Sequence, residues 1–402
     1  MRNNSTDASQ YRYPMTLTSQ FYFCGMPLRL DSYKGCPSRC VYCYVSSRHG
    51  NFSNETQFAN PHILEKWFQL SNKRYKYTPN IILECIKKRM PVHFGGMSDP
   101  FLIPYKFRYI TSAILRILDL HNYPTLISTK ADLSECKEFS DVIRGKHHFA
   151  FQISFSTFDN EIAALVEPNA PSPKQRIAGA QWAIKKGNWV ACRLQPYIPY
   201  QKIDELVSFV KSCGFSHLTI EHLKLPFDKK IDIKILNSAF DLDILKLFPK
   251  KTRIKRGREF EMPNELRFLE IKKFLSACRK YNLSLGIGDN GFQHYSTSPC
   301  CCGIDVLPAF QAWFKQNVTV AIFRSRKDGK IEYSSIAKEW APSGNIARMI
   351  NSNTRLKLKN NTVHNHIKTQ WLTNGKLSPS LFHNITTVKQ DDGYEYYFDK
   401  KA

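Results

Sequence analysis

The chain has 402 residues, enough for a large core and two or three domains, and an α/β barrel could take more than half of it alone. At 42 % hydrophobic and 13 % aromatic it has the composition of a folded, soluble protein, and it lacks the run of roughly eighteen apolar residues that a membrane span needs. The formal net charge of +24 fits either a lysine-rich solvated surface or a polyanionic partner. Nucleic acid is the partner it favours, because each neutralised phosphate releases counterions and adds sequence-independent affinity.

Residues 1–25 read as a flexible N-terminal arm. Met1 to Gln20 is polar, so no signal or transit peptide is expected and the chain reads as cytoplasmic. Leu28 to Tyr33 is a first strand, and it delivers Gly35-Cys36-Pro37-Ser38-Arg39-Cys40-Val41-Tyr42-Cys43-Tyr44 at its C-terminal end. Gly35 and Pro37 supply turn chemistry, so a short loop can aim three sulfurs at one place. A structural zinc wants four ligands and would have to borrow a distant one such as Cys24. A [4Fe–4S] cubane has four irons, so three cysteines leave one iron open to a small chelating ligand.

Strands then alternate with helices. Helices are expected over Ile63 to Leu70, Asn80 to Lys88, Arg108 to Leu120, Leu133 to Ile143, Pro173 to Lys186 and Ile203 to Cys213. Strands are expected over Val92 to Phe94, Thr125 to Thr129, Phe149 to Phe155, Trp189 to Leu194 and His217 to Ile220. Six such repeats imply right-handed βαβ units and a parallel sheet, an α/β fold best described as a partial (β/α)6 TIM-like barrel. This core covers 26–225.

Beyond it, 226–305 reads as a basic helical extension: the run Lys250 to Arg258, a helix over Pro263 to Tyr281, a returning strand over Leu283 to Gly288, and Cys300-Cys301-Cys302. Adjacent cysteines make poor disulfide geometry and suit metal or redox chemistry better. Residues 306–402 form an accessory region, a candidate substrate-binding module, with β-like pieces at Val318 to Phe323 and Tyr394 to Phe398.

In parallel α/β folds, ligands bind at the C-terminal ends of the strands. Gly95, Gly96, Ser98 and Asp99 follow the second strand of the core, where glycines let a ligand approach the backbone. Lys130, Ser154, Ser156 and Arg193 end or occupy later strands on the same rim, where cations and hydroxyls could bind a carboxylate and a ribose.

The three-cysteine loop with an aromatic before the last cysteine resembles the signature of the radical S-adenosylmethionine (radical SAM) superfamily. The resemblance implies that Cys36, Cys40 and Cys43 hold a [4Fe–4S] cluster whose fourth iron chelates SAM. An external donor such as flavodoxin or ferredoxin would supply the electron that releases a 5′-deoxyadenosyl radical. It also implies contact with the SAM amino group at Gly95, Gly96, Ser98 and Asp99; Tyr42 would pack on the cluster or shuttle a hydrogen atom, and Lys130, Ser154, Ser156 and Arg193 are the rim candidates for the SAM carboxylate and ribose. Ser98-Asp99-Pro100, Thr129-Lys130, Ser154-Phe155-Ser156-Thr157, Val166-Glu167-Pro168 and Gln195-Pro196-Tyr197-Ile198-Pro199 fall in the order seen in the spore photoproduct lyase-like group. That group's hydrogen-donating cysteine has Gly96 as its counterpart here, which puts thymine-dimer repair by that route in doubt. Cys301, Cys302 and Tyr44 are the alternative hydrogen donors, and the Cys300–Cys302 run could instead ligate a second cluster. The expected activity is therefore radical chemistry on DNA or RNA, with Trp340 or Trp371 available to stack a base. The competing readings are radical modification of a peptide or protein, with the basic surface gripping an acidic leader, and a metal-stabilised nucleic-acid-binding protein without chemistry.

Overall fold

The computed structural model describes residues 10–11, 13–18, 23–47, 56–72, 81–200, 202–226, 231–256, 259–310, 317–327, 329–335 and 363–399. Seven strands stand side by side in chain order: β1 (Met15–Leu17), β2 (Leu28–Leu30), β3 (Val92–Phe94), β4 (Thr125–Thr129), β5 (Phe149–Phe155), β6 (Trp189–Tyr197) and β7 (His217–His222). Next come β8 (Leu225–Pro226), β9 (Ile254–Arg256) and β10 (Glu259–Glu261), which make a small antiparallel sheet in the order β8-β10-β9. β11 (Ser284–Ile287) then returns to pair in parallel with β7 as the eighth strand of the main sheet. From β2 onward that sheet is wholly parallel, and its sequential order is the winding of a barrel rather than of a doubly wound sheet. β1 pairs antiparallel with β2, so part of the expected flexible arm is a buried edge strand.

The helices are α1 (Pro61–Ser71), α2 (Ile81–Lys87), α3 (Arg108–Leu120), α4 (Asn160–Val166), α5 (Pro173–Lys185), α6 (Ile203–Ser212), α7 (Ile233–Phe240) and α8 (Asn264–Lys280). α5 starts sharply because Ser172 and Gln175 form a reciprocal capping box and proline occupies the first turn.

The helix expected over Leu133 to Ile143 is instead two 3-10 turns, Leu133–Glu135 and Lys137–Phe139. Asp132 accepts from the Ser134 N–H at 3.0 Å, and Cys136 leaves helical geometry at ψ 52°. Short polar side chains here compete for the backbone. The strand expected over Val318 to Phe323 is a helix, α9 (Val318–Ser325). The Asn317 side chain caps it by accepting from the Val320 N–H at 2.9 Å, and burial of Val318, Val320, Ala321 and Ile322 outweighs their β preference. The remaining elements are α10 (Val363–Leu372) and a hairpin of β12 (Ile385–Gln390) and β13 (Gly393–Phe398). Trp371 is buried between Tyr333 and Tyr396, so it is not open to stack a base, and Trp340 lies outside the described residues.

The two faces of the main sheet differ in chemistry, and the register shows how. One face carries Leu30, Phe94, Ile127, Phe151, Cys192, Leu218 and Leu285, and packs into the apolar core. The other carries Arg29 beside His93, Ser128 beside Gln152, Ser154 beside Arg193, and Thr219 beside Gly286. A closed, packed barrel fills that inner side with branched apolar residues. A polar inner belt leaves room for a ligand. Among the described residues no helix is long and apolar enough to cross a membrane.

Candidate active site

A cavity of about 370 Å³ opens at the C-terminal ends of the parallel strands. The β2–α1 loop contributes Cys36, Cys40, Tyr42, Cys43 and Tyr44 to its wall. Gly95, Gly96, Ser98 and Asp99 enter after β3, Lys130 after β4, Ser154 from β5 and Arg193 from β6. Six repeats thus bring together residues spread over more than 150 positions.

Backbone contacts fix the cysteine loop. The Cys43 N–H donates to the Cys40 carbonyl at 3.0 Å, and the Val41 N–H to the Val166 carbonyl at 3.0 Å. The Asn169 amide donates to the Pro37 carbonyl at 3.0 Å. The Tyr42 hydroxyl turns inward and donates to the Glu167 carboxylate. Glu167, 1 % exposed, also accepts from the Ser156 hydroxyl at 3.0 Å, lies 3.7 Å from Lys130 Nζ and pairs with the fully buried Arg176. Burial alone would raise the Glu167 pKa, but Lys130, Arg176 and Tyr42 outweigh it and hold the carboxyl below its ordinary range. Ser156 therefore faces Glu167 and is not part of the cavity wall, whereas Lys130 touches both.

None of the three cysteines is in a disulfide, and all three are half-buried. Burial pushes the Cys40 thiol up to about 12, with Lys130 pulling the other way and Glu167, Cys43 and Cys36 adding to the rise. Such a thiol becomes a thiolate only against a strong positive charge, which bound iron supplies. Among the described residues no group of three or more Cys, His, Asp or Glu side chains gathers around a single ion position. A cubane asks for something else, one soft thiolate at each of three corners, and the donor set fits it.

The Gly95–Asp99 turn is stapled to its neighbours. Gly95 adopts φ +90°, and a Cβ there would lie 2.5 Å from the Ser128 carbonyl, so only glycine lets β3 close against β4. Asp31 accepts from the Met97 and Ser98 N–H groups at 2.8 and 3.2 Å. Asp99 accepts from the Phe101 N–H, the Thr129 hydroxyl and the Lys130 N–H at 3.1, 2.8 and 2.5 Å. Its carboxylate thus ties the ends of β3 and β4 together beneath the cavity. The Ser98 hydroxyl donates to the Tyr33 carbonyl at 2.6 Å, which leaves backbone as this turn's main offering to a ligand.

Arg193 donates to Gln152 at 2.9 Å, to Gln195, and to Glu221 at 3.3 Å. Lys224 donates to the other Glu221 oxygen at 2.5 Å, and that carboxylate raises the Lys224 pKa against the opposing effect of burial. His93 sits 2.7 Å from the Ser128 hydroxyl, and burial beside Arg193 and Arg29 lowers its pKa to about 3.

Cys301 and Cys302 do not line the cavity. The Cys301 carbonyl accepts from His217 at 3.0 Å and Thr219 at 2.8 Å, which lays the cysteine run across the inner face of β7 and β11. Cys301 Sγ and Cys302 Sγ are 3.9 Å apart. Cys24, which does line the cavity, has its thiol pushed up to about 12 by burial and by Cys301. Sequence reasoning did not single out Glu167, quoted only as part of a motif, or the cavity-lining Arg29, His93, Glu221, His222 and Lys224.

Residues 30–213 match the family described as the radical SAM superfamily. The family implies a [4Fe–4S] cluster and SAM. A curated relative, the uncharacterized protein ORF301 of Acidianus two-tailed virus, is 27 % identical over 182 residues, or 42 % of this chain and 56 % of the viral protein. The match thus spans little more than half of that relative's length. A spore photoproduct lyase mutant is similar in structure at a TM-score of 0.47 and 15 % identity, covering 64 % of this chain and 74 % of that one. Another mutant of that enzyme, with bound AdoMet and dinucleoside spore photoproduct, gives 0.46 and 15 % over 66 % and 78 %. Streptococcus suis SuiB bound to precursor peptide SuiA gives 0.39 and 16 % over 56 % and 48 %.

Proposed function

We propose that this radical SAM enzyme acts on nucleic acid, repairing or modifying a base. Cys36, Cys40 and Cys43 hold the cluster, which when bound supplies the electron that cleaves SAM to a 5′-deoxyadenosyl radical. Lys130, Ser154, Arg193 and the Gly95–Gly96 backbone hold the SAM carboxylate, ribose and amino group. Tyr44 on the wall and Cys301 and Cys302 behind Arg193 are the hydrogen donors of this reading, with flavodoxin or ferredoxin as electron source.

One observation carries the choice of substrate. Glu259 lines the cavity and stands opposite Arg256 in the small sheet, so the basic stretch from Lys250 to Arg256 runs one strand away from the cavity. Lys250, Lys251 and Lys255 are exposed there, placed to grip phosphates while a base enters.

Anaerobic reconstitution with iron and sulfide, followed by dithionite and SAM, tests the chemistry: 5′-deoxyadenosine forms in the wild type and not in Cys40→Ala, which also loses iron. Fluorescence anisotropy with single-stranded oligonucleotides tests the substrate. Binding at low salt that falls steeply with added salt is expected. A colourless zinc protein overturns the cluster, and no binding at low salt overturns nucleic acid.

A further inference from the structure

Arg29 is the middle residue of β2, flanked in register by Thr16 of β1 and His93 of β3. It belongs to the polar inner face and lines the cavity, with its side chain 19 % exposed. Its stem runs beside Gly96, where a Cβ would lie 3.1 Å from Arg29 Cδ and 3.3 Å from Cγ. Glycine at that wall position keeps the arginine's place in the cavity clear.

Other polar side chains of this face bond one another: Ser128 and Arg193 both donate to Gln152, at 3.3 and 2.9 Å. Arg29 does not join them. Its Nε lies 3.4 Å from Asp31 Oδ2, and neither Nη nitrogen donates a hydrogen bond among the described residues. Neither Nη is sealed from solvent. The cavity therefore receives the outer N–H groups of a rigid, planar fork.

Asp31 decides what kind of group suits that fork. Its Oδ1 is held by the Met97 and Ser98 N–H groups, so the carboxyl stays beside the arginine. Burial raises the Asp31 pKa, while Arg29 and those two N–H groups pull it back. The guanidinium already has a counter-charge at hand, and what its outer N–H groups lack is acceptors. A phosphate would set a second negative charge close to Asp31, whereas a neutral base edge with two acceptors would not.

We propose that Arg29 is a specificity-determining residue whose two Nη groups donate to neighbouring acceptors on one base, O6 and N7 of guanine or N3 and O2 of cytosine. This rests on the nucleic-acid reading and narrows its substrate. Adenine and thymine or uracil set an N–H beside each acceptor on the edges they offer, so the fork gains one bond from them instead of two.

The test measures binding of reconstituted enzyme to single-stranded oligothymidylate and oligouridylate, plain or with one central guanine, cytosine or adenine. Guanine and cytosine strands should bind roughly 5- to 150-fold tighter than the plain and adenine strands, the discrimination of one bidentate pair. Arg29→Met keeps the apolar stem and loses the donors, so it should bind all four strands alike. Arg29→Gln offers one donor and one acceptor, the pattern that pairs with adenine, and should move the preference to the adenine strand. Iron content per chain equal to that of the wild type shows that a variant is folded. Wild-type binding that ignores the central base, or a guanine and cytosine preference that survives in either folded variant, overturns the proposal alone. Failure to bind any strand overturns the nucleic-acid reading with it.

Discussion

The Glu167 carboxylate touches the cysteine loop through Tyr42, the end of β5 through Ser156, the end of β4 through Lys130 and the α5 helix through Arg176. Replacing it with alanine leaves Arg176, fully buried, as an uncompensated charge. Breaking a buried pair from one side costs about 3–5 kcal/mol. Glu167→Ala should therefore lower the urea midpoint by a corresponding amount and reduce the iron held per chain after reconstitution. A loss below about 1 kcal/mol with full iron loading would show that the loop stands without this anchor. The cysteines were legible in the sequence because their signal is local, a spacing within one loop. Glu167 was not, because its role exists only once residues 42, 130, 156 and 176 meet. Asp99 shows the same limit from the other side: its residue type fitted a ligand contact, but its oxygens bind the backbone and Thr129.

Elements were easier to read than side-chain directions. The strands of the core repeats stand out because short apolar runs alternate with amphipathic helices, and Arg108–Leu120 and Phe149–Phe155 have the expected bounds. Where the local signal failed, tertiary packing or side-chain–backbone competition had decided the matter, as at α9 and in the turns after β4. The docking of the Cys300–Cys302 run was invisible too, since it depends on an absent side chain. A Cβ on Gly286 would lie 1.7 Å from the Cys301 carbonyl oxygen, and backbone cannot rotate aside as a lysine could. Gly286→Ala should thus lift the run off β11, at about 1–3 kcal/mol for overpacking, and raise the rate at which Cys301 reacts with an exposed-thiol reagent. Unchanged stability and thiol reactivity would mean that the run is not seated against the strand.

At the scale of the molecule, 58 basic against 34 acidic residues give a field that attracts polyanions wherever the charges sit, so net charge alone cannot place a binding face. Position can be tested, because each phosphate contact on a single strand adds about 0.7 to the slope of log affinity against log salt. Lys250, Lys251 and Lys255 lie beside the cavity through the small sheet, while Lys185 and Lys186, also exposed, end α5 just before β6 begins, on the opposite rim. Replacing the first three with alanine should make the slope for a single-stranded oligonucleotide shallower by up to about two units. Replacing the second pair should leave the slope nearly unchanged, although it also lowers the net charge. If both sets flatten the slope in proportion to the charge removed, the nucleic acid is held by the general field, and the basic strand beside the cavity has no special part in binding.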